Sequence, residues 1–175
     1  MLGWVIHMTA TGTLIAVFGL SLHHKLRRFP RFRASLAAYG LLPAPAVPAA
    51  AVALVMLEVT AIACLLLPSG IASGLAFALL TLYTLAITVN LLRGNRAIDC
   101  GCGDTPTPLS GWLLLRNGVL LLLATARSET VVEPGTGAWL LVSAMVAGLV
   151  LFYVIIEQLL SNQNSLQPGS LLSKT

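Results

Sequence analysis

Charge is what this chain lacks most. Only 9% of its 175 residues are Asp, Glu, Lys or Arg, against about 25% in an ordinary soluble domain. Just six residues are acidic, too few to solvate the surface of a protein this size. Leu, Ala and Val in long runs fill the deficit. Hydrophobic residues make up 57% of the chain and its mean hydropathy is +0.91, which excludes a soluble domain of any size and indicates a membrane-embedded protein. Cysteine is scarce as well. Three residues cannot build a disulfide scaffold. The net charge of +4 does not indicate nucleic acid, because the basic residues cluster beside an apolar run rather than along a soluble face. The first apolar run has no basic segment before it and no small-residue cleavage site after it, so no cleavable signal peptide is expected.

What is present is a series of apolar runs. A membrane helix needs about 20 mostly apolar residues, and spans are predicted at Leu2 to Leu22, Ala46 to Leu67, Ile71 to Leu92, Gly111 to Ala126 and Gly137 to Leu160. The fourth is short and contains Arg116 and Asn117. The expected fold is therefore an all-α polytopic membrane bundle of four to five transmembrane helices. It forms a single domain over residues 1–160, followed by a polar, disordered tail at 161–175. Between the first two spans lie the basic cluster HHKLRRFPRFR (His23 to Arg33) and a proline-broken apolar segment, Ala34 to Pro48. The cluster is expected at the membrane surface and the segment in an interfacial or re-entrant position.

Five spans place the basic loop, the loop after span three and the tail on one side. That side carries eight of the ten basic residues, namely Lys25, Arg27, Arg28, Arg31, Arg33, Arg93, Arg96 and Lys174. The excess of basic loops on the cytoplasmic side of membrane proteins assigns this side to the cytoplasm.

The loop after span three holds the chemistry. Asp99 to Asp104 read D-C-G-C-G-D, placing Cys100 and Cys102 two positions apart. A disulfide needs Cα atoms about 4.4–6.8 Å apart, which the pair reaches only where the chain bends, and Gly101 bends most freely. So small a ring is strained, and strained bridges are catalytic or labile rather than structural. The pair reads as a redox-active dithiol at the membrane surface. Two close thiolates would also suit Cu(I), and two plain free thiols are the bland alternative. A four-ligand zinc site is not expected, because the third cysteine and the histidines lie elsewhere in the sequence. Cys64, one turn before Pro68 and near the opposite face, reads as a packing residue, as does His7 in the first span.

Glu58 falls in the middle of the second span, and an ionisable residue there calls for a partner or a function. A Glu58–Arg116 ion pair is the economical expectation, with Asn117 adding hydrogen bonds between helices and Glu157 pairing with Lys25. Such a pair is either a structural clasp or a polar pocket below the dithiol, able to favour a thiolate or to hold a small cofactor.

These residues together resemble a known family. The Lys-containing basic stretch after the first span, YGLLP at Tyr39 to Pro43, Glu58, C-G-C at Cys100 to Cys102 and Arg116–Asn117 occur in the order of the MauE family of methylamine utilisation proteins, a branch of the DoxX-like membrane proteins. The resemblance covers residues 10–125. It departs after the second cysteine, where Gly103 and Asp104 replace the family's usual Phe and Gly.

The resemblance implies a helper in the inner or plasma membrane that assists maturation of an exported, disulfide-containing client such as methylamine dehydrogenase, beside a thioredoxin-like partner. Cys100 and Cys102 would then be the working thiols, and Glu58, Arg116 and Asn117 an intramembrane polar set. An exported client places the cysteine loop outside the cytoplasm, against the charge count. The rival classes are a non-enzymatic anchor or assembly factor, and a carrier of copper, a quinone or another small molecule. The expected surroundings are a lipid bilayer, with no nucleic acid and no resident metal.

Overall fold

A computed structural model describes residues 1–67, 71–95, 98–101, 108–126 and 135–165. The described residues are helical apart from short connections and one isolated bridge. Helix α1 (Leu2–Arg27) leads into α2 (Phe29–Ala38), a 3₁₀ turn (Ala44–Ala46) and α3 (Val47–Leu65). Helices α4 (Ile71–Leu92), α5 (Gly111–Thr125) and α6 (Thr136–Ser165) follow. The first, third, fourth and sixth helices are long and apolar enough to cross a membrane. At about 1.5 Å per residue the 15-residue α5 falls short of the ~30 Å hydrocarbon layer. An all-α polytopic membrane bundle is what the composition predicts, and it is what is found.

Helix α1 packs against α6, α3 and α5, while α4 packs between α3 and α5. Where α1 meets α6, Gly12 permits the approach, since a Cβ there would lie 2.9 Å from Val146 Cγ2. The main core joins Leu14, Val17 and Phe18 of α1 to Ala61 and Leu65 of α3, Leu79 and Leu80 of α4, and Leu120 of α5. Cys64 packs on this cluster as a partly buried side chain. Large apolar side chains such as Met56, Leu85, Leu122, Leu140 and Phe152 are exposed on the outside of the bundle, as lipid requires and water would not allow.

Two expectations about the ends of elements change. The basic cluster does not leave the helix. Helix α1 continues through it to Arg27, and the break falls at Arg28, before Pro30 in the first turn of α2. Proline is tolerated there because its missing N–H would have no partner in the first turn anyway. Lys25, expected at the membrane surface, is instead 2% exposed. At the other end, α6 runs on to Ser165, five residues past the predicted span, and residues 166–175 of the expected tail lie outside the described residues.

Candidate functional site

The cysteine loop is fastened at both of its described ends. Asp99 and Pro108 form an antiparallel bridge, and the Leu109 N–H donates to the Ile98 carbonyl at 3.2 Å. Asp99 is the anchor. Its Oδ2 accepts from Arg31 Nε at 3.0 Å and from Arg31 Nη2 at 2.9 Å, a two-pronged guanidinium contact that fixes direction as well as distance. Its Oδ1 accepts the Gly101 N–H at 3.2 Å.

Gly101 sits at φ +72°, and a Cβ there would come within 3.2 Å of the Ser35 Cβ. Only glycine meets both conditions without strain. Between these two anchors Cys100 is turned inward. It is 8% exposed and packs with Tyr39, Ile87, Leu109 and Leu113. Cys102, the second expected thiol, lies outside the described residues.

Below the loop are two ion pairs, and neither is the one expected. Lys25 Nζ bonds Glu58 Oε1, with the two side chains 1% and 0% exposed. Tyr83 closes the cluster by donating its hydroxyl to the same oxygen at 2.8 Å. The ammonium lies 4.7 Å from the Tyr83 ring centre and 5.0 Å from that of Phe32, a contact between a cation and aromatic faces that strengthens out of water. Arg116 instead pairs with Glu157, Nη1 to Oε1 at 2.8 Å, and donates to Tyr153 at 3.1 Å. The expected Glu58–Arg116 and Lys25–Glu157 pairs are thus exchanged.

Glu58 lies near the middle of α3, and position along a helix does not say which neighbouring helix supplies its partner. The lateral packing of α1 on α3 decides it, bringing the end of α1 against the middle of α3. A small cavity of about 30 Å³ between the pairs is lined by Glu58, Arg116, Asn117, Tyr83 and Tyr153. It faces two buried polar atoms, Glu58 Oε2 and Asn117 Nδ2, that have no partner among the described residues. It has room for one water.

Several residues of this region escaped the sequence reading. Tyr83, Tyr153, Arg31 and Asn90 carry no motif. Asn90 is fully buried, and its side chain accepts from Asn95 Nδ2 at 3.2 Å where α4 ends. The usable signal was Asp99 itself, an acidic residue in a loop next to a basic cluster. His7 bonds the Ala126 carbonyl at 3.0 Å, a helix-end contact at the other end of α5 from Cys100. Among the described residues no group of three or more His, Cys, Asp or Glu side chains could hold a metal.

Beside Cys100 opens an apolar cavity of about 320 Å³, walled by α2, α3 and α4 and by the segment that joins α2 to α3. Lys25, Tyr83, Tyr39 and Cys100 contribute to its wall.

The bundle and its site define a class, a multi-pass helical membrane protein whose ion pairs and loop cysteine border two cavities among its helices. Within that class the chain belongs to the MauE family: residues 2–128 match the family described as Methylamine utilisation protein MauE. It is 34% identical over 154 residues to the Methylamine utilization protein MauE of Paracoccus versutus, covering 85% of this chain and 82% of that one. The protein of the same name from Methylophilus methylotrophus is 42% identical over 88 residues, 49% of this chain and 46% of the other. That of Paracoccus denitrificans is 35% identical over 106 residues, 58% and 57%. No solved structure matches.

Proposed function

We propose that this protein assists the maturation of an exported, disulfide-containing client in methylamine utilisation by thiol–disulfide exchange at Cys100 and Cys102. The client class is methylamine dehydrogenase or a protein like it. A thiolate of the client or partner attacks the Cys100–Cys102 disulfide, a mixed disulfide forms, and the attacker's second thiol resolves it, so that the attacker gains the disulfide and the pair is left as a dithiol. A thioredoxin-like protein is the proposed exchange partner. The observation that carries this reading is the mounting of Cys100. A guanidinium-clamped aspartate on one side and a left-handed glycine on the other hold a single cysteine in one orientation, which a packing residue would not need.

An exported client requires the loop to face away from the cytoplasm. The opposing charge count loses weight here, since Lys25 is neutralised inside the bundle and Arg31 is paired with Asp99. A membrane-impermeant thiol reagent applied to intact cells carrying Cys64→Ser labels the pair after reduction if the loop lies outside. Labelling only in opened cells would reverse the assignment.

The test of function is replacement of the cysteines. Cys100→Ser, which leaves Cys102, is expected to accumulate a mixed disulfide with an oxidised partner, and changing either or both cysteines abolishes client disulfides. Normal client maturation in the doubly substituted protein would favour the anchor or assembly-factor reading. The burial of Cys100, only 8% exposed, is the observation on that side.

A further inference from the structure

The burial of Cys100 also restricts what can reach its sulfur. A folded protein cannot reach a side chain packed between Tyr39, Ile87, Leu109 and Leu113, so exchange with protein thiols falls to Cys102, while Cys100 forms part of the wall of the 320 Å³ cavity. That volume is within the range of small-molecule sites. Its lining is apolar except for Lys25, Ser35, Tyr39, Tyr83 and Cys100, and a lipid acyl chain would need none of them. The cavity lies among helices that cross the membrane, so its ligand is lipophilic.

The polar groups have a particular character. An ammonium has three N–H donors. Two of those of Lys25 go to Glu58 and Tyr83, and the third has no partner among the described residues. Nζ is held between the Phe32 and Tyr83 rings, and Lys25, Phe32 and Tyr83 all line the cavity, so a positively charged side chain stands in the wall of an otherwise apolar space. A thiol, a cationic donor and apolar walls together suit a flat ring bearing carbonyl acceptors.

We infer that this cavity binds the ring of a membrane quinone, which takes the electrons of the cysteine pair. The inference rests on the proposed exchange activity and names its electron acceptor. The dithiol gives two electrons and two protons. Two S–H bonds are lost and one S–S bond forms, while the quinone gains both electrons and both protons as quinol. The regenerated disulfide is then available for a client dithiol. Lys25 serves as a positioning residue that would hold one quinone oxygen and stabilise the negative charge that grows on it during reduction.

The experiment uses the full chain in lipid nanodiscs. A photoreactive azidoquinone is crosslinked and its site mapped, with decylubiquinone and menadione as competitors to separate benzoquinone from naphthoquinone preference. In parallel, the pre-reduced protein is mixed anaerobically with each quinone, and dithiol loss and quinol formation are followed. The expected result is competed labelling on α2 and α4 with one quinol formed per dithiol. In Ala50→Trp, which places a ring in the cavity wall, oxidation slows by about tenfold or more, and exchange with dithiothreitol in the same preparation reports that the protein is folded.

Competed labelling does not depend on cysteine cycling, so the two readings fail separately. Intact exchange with a thioredoxin-like dithiol, without competed labelling or quinol, overturns the quinone site and leaves the proposed function. Labelling in the cavity with cysteines that neither exchange nor oxidise overturns the proposed function, and with it the quinone's role as acceptor. Labelling displaced equally by phospholipid and by quinone makes the cavity a lipid site.

Discussion

The two ion pairs border the same small cavity and differ in nearly everything else. Lys25–Glu58 is sealed, with side chains 1% and 0% exposed, whereas Arg116 and Glu157 are 11% and 30% exposed. A sealed pair must satisfy its charges internally, and this one does so with Tyr83 and two aromatic faces. The more open pair lies toward the cysteine end of the bundle, where long side chains can reach headgroups and water. Of the two pairs, the sealed one contributes Lys25 to the cavity that Cys100 also lines. The difference separates two roles for charge in one membrane bundle. One pair fixes helix packing and borders the site, while the other braces α5 against α6.

The largest expected effect comes from breaking the sealed pair on one side. Glu58→Leu leaves an unpaired ammonium in the bundle and should destabilise the protein by about 3–5 kcal/mol, read as loss of folded protein in membranes and early unfolding in detergent. Lys25→Met combined with Glu58→Leu removes both charges and should recover most of that stability. Wild-type behaviour of Glu58→Leu alone would show that the pair is not a clasp.

Breaking the open pair should cost less. For Arg116→Leu we expect about 1 kcal/mol, since Glu157 can turn toward the interface and keep its bond from Tyr153. A loss equal to that of Glu58→Leu would erase the contrast.

Gly101→Ala sharpens the comparison from the loop side. A non-glycine residue at φ +72° costs about 1–2 kcal/mol locally, and its methyl meets Ser35. The bundle should stay folded while Cys100 becomes reactive to a small alkylating agent several times faster than in wild type. Unchanged reactivity would mean that Gly101 does not hold Cys100 in place.

The smallest effect on stability should come from Arg31→Ala. This pair is 29% and 19% exposed, so its loss should cost under about 1 kcal/mol. It also removes the guanidinium contact from Asp99, so Cys100 alkylation should rise here too. If alkylation stays at the wild-type rate, the Arg31 clamp does not position the cysteine.

Much of this protein was legible in its residues. The spans follow from run length alone. The third begins and ends at Ile71 and Leu92 as predicted, because Pro68 and Gly70 before it and Arg93 after it leave little choice. The bend at Gly101 was legible for the same reason, being a property of one residue type.

The partners of Glu58 and Arg116 were not legible. An ion pair is a choice among neighbours, and one-dimensional depth supplied four charged residues without saying which helices touch. Lys25 was misjudged for a related reason. A lysine among arginines at the end of a span reads as surface charge, and only a carboxylate within reach on another helix can draw its ammonium inward.

Composition and run length therefore determined that this chain is a helical membrane bundle with a cysteine-bearing loop, because water and lipid sort residues by type before any contact forms. The burial of Cys100, its clamp by Arg31 through Asp99, the exchange of ion-pair partners and the cavity beside the cysteine were decided by tertiary structure. Each depends on side chains far apart in sequence meeting at a particular angle, and no local pattern encodes that.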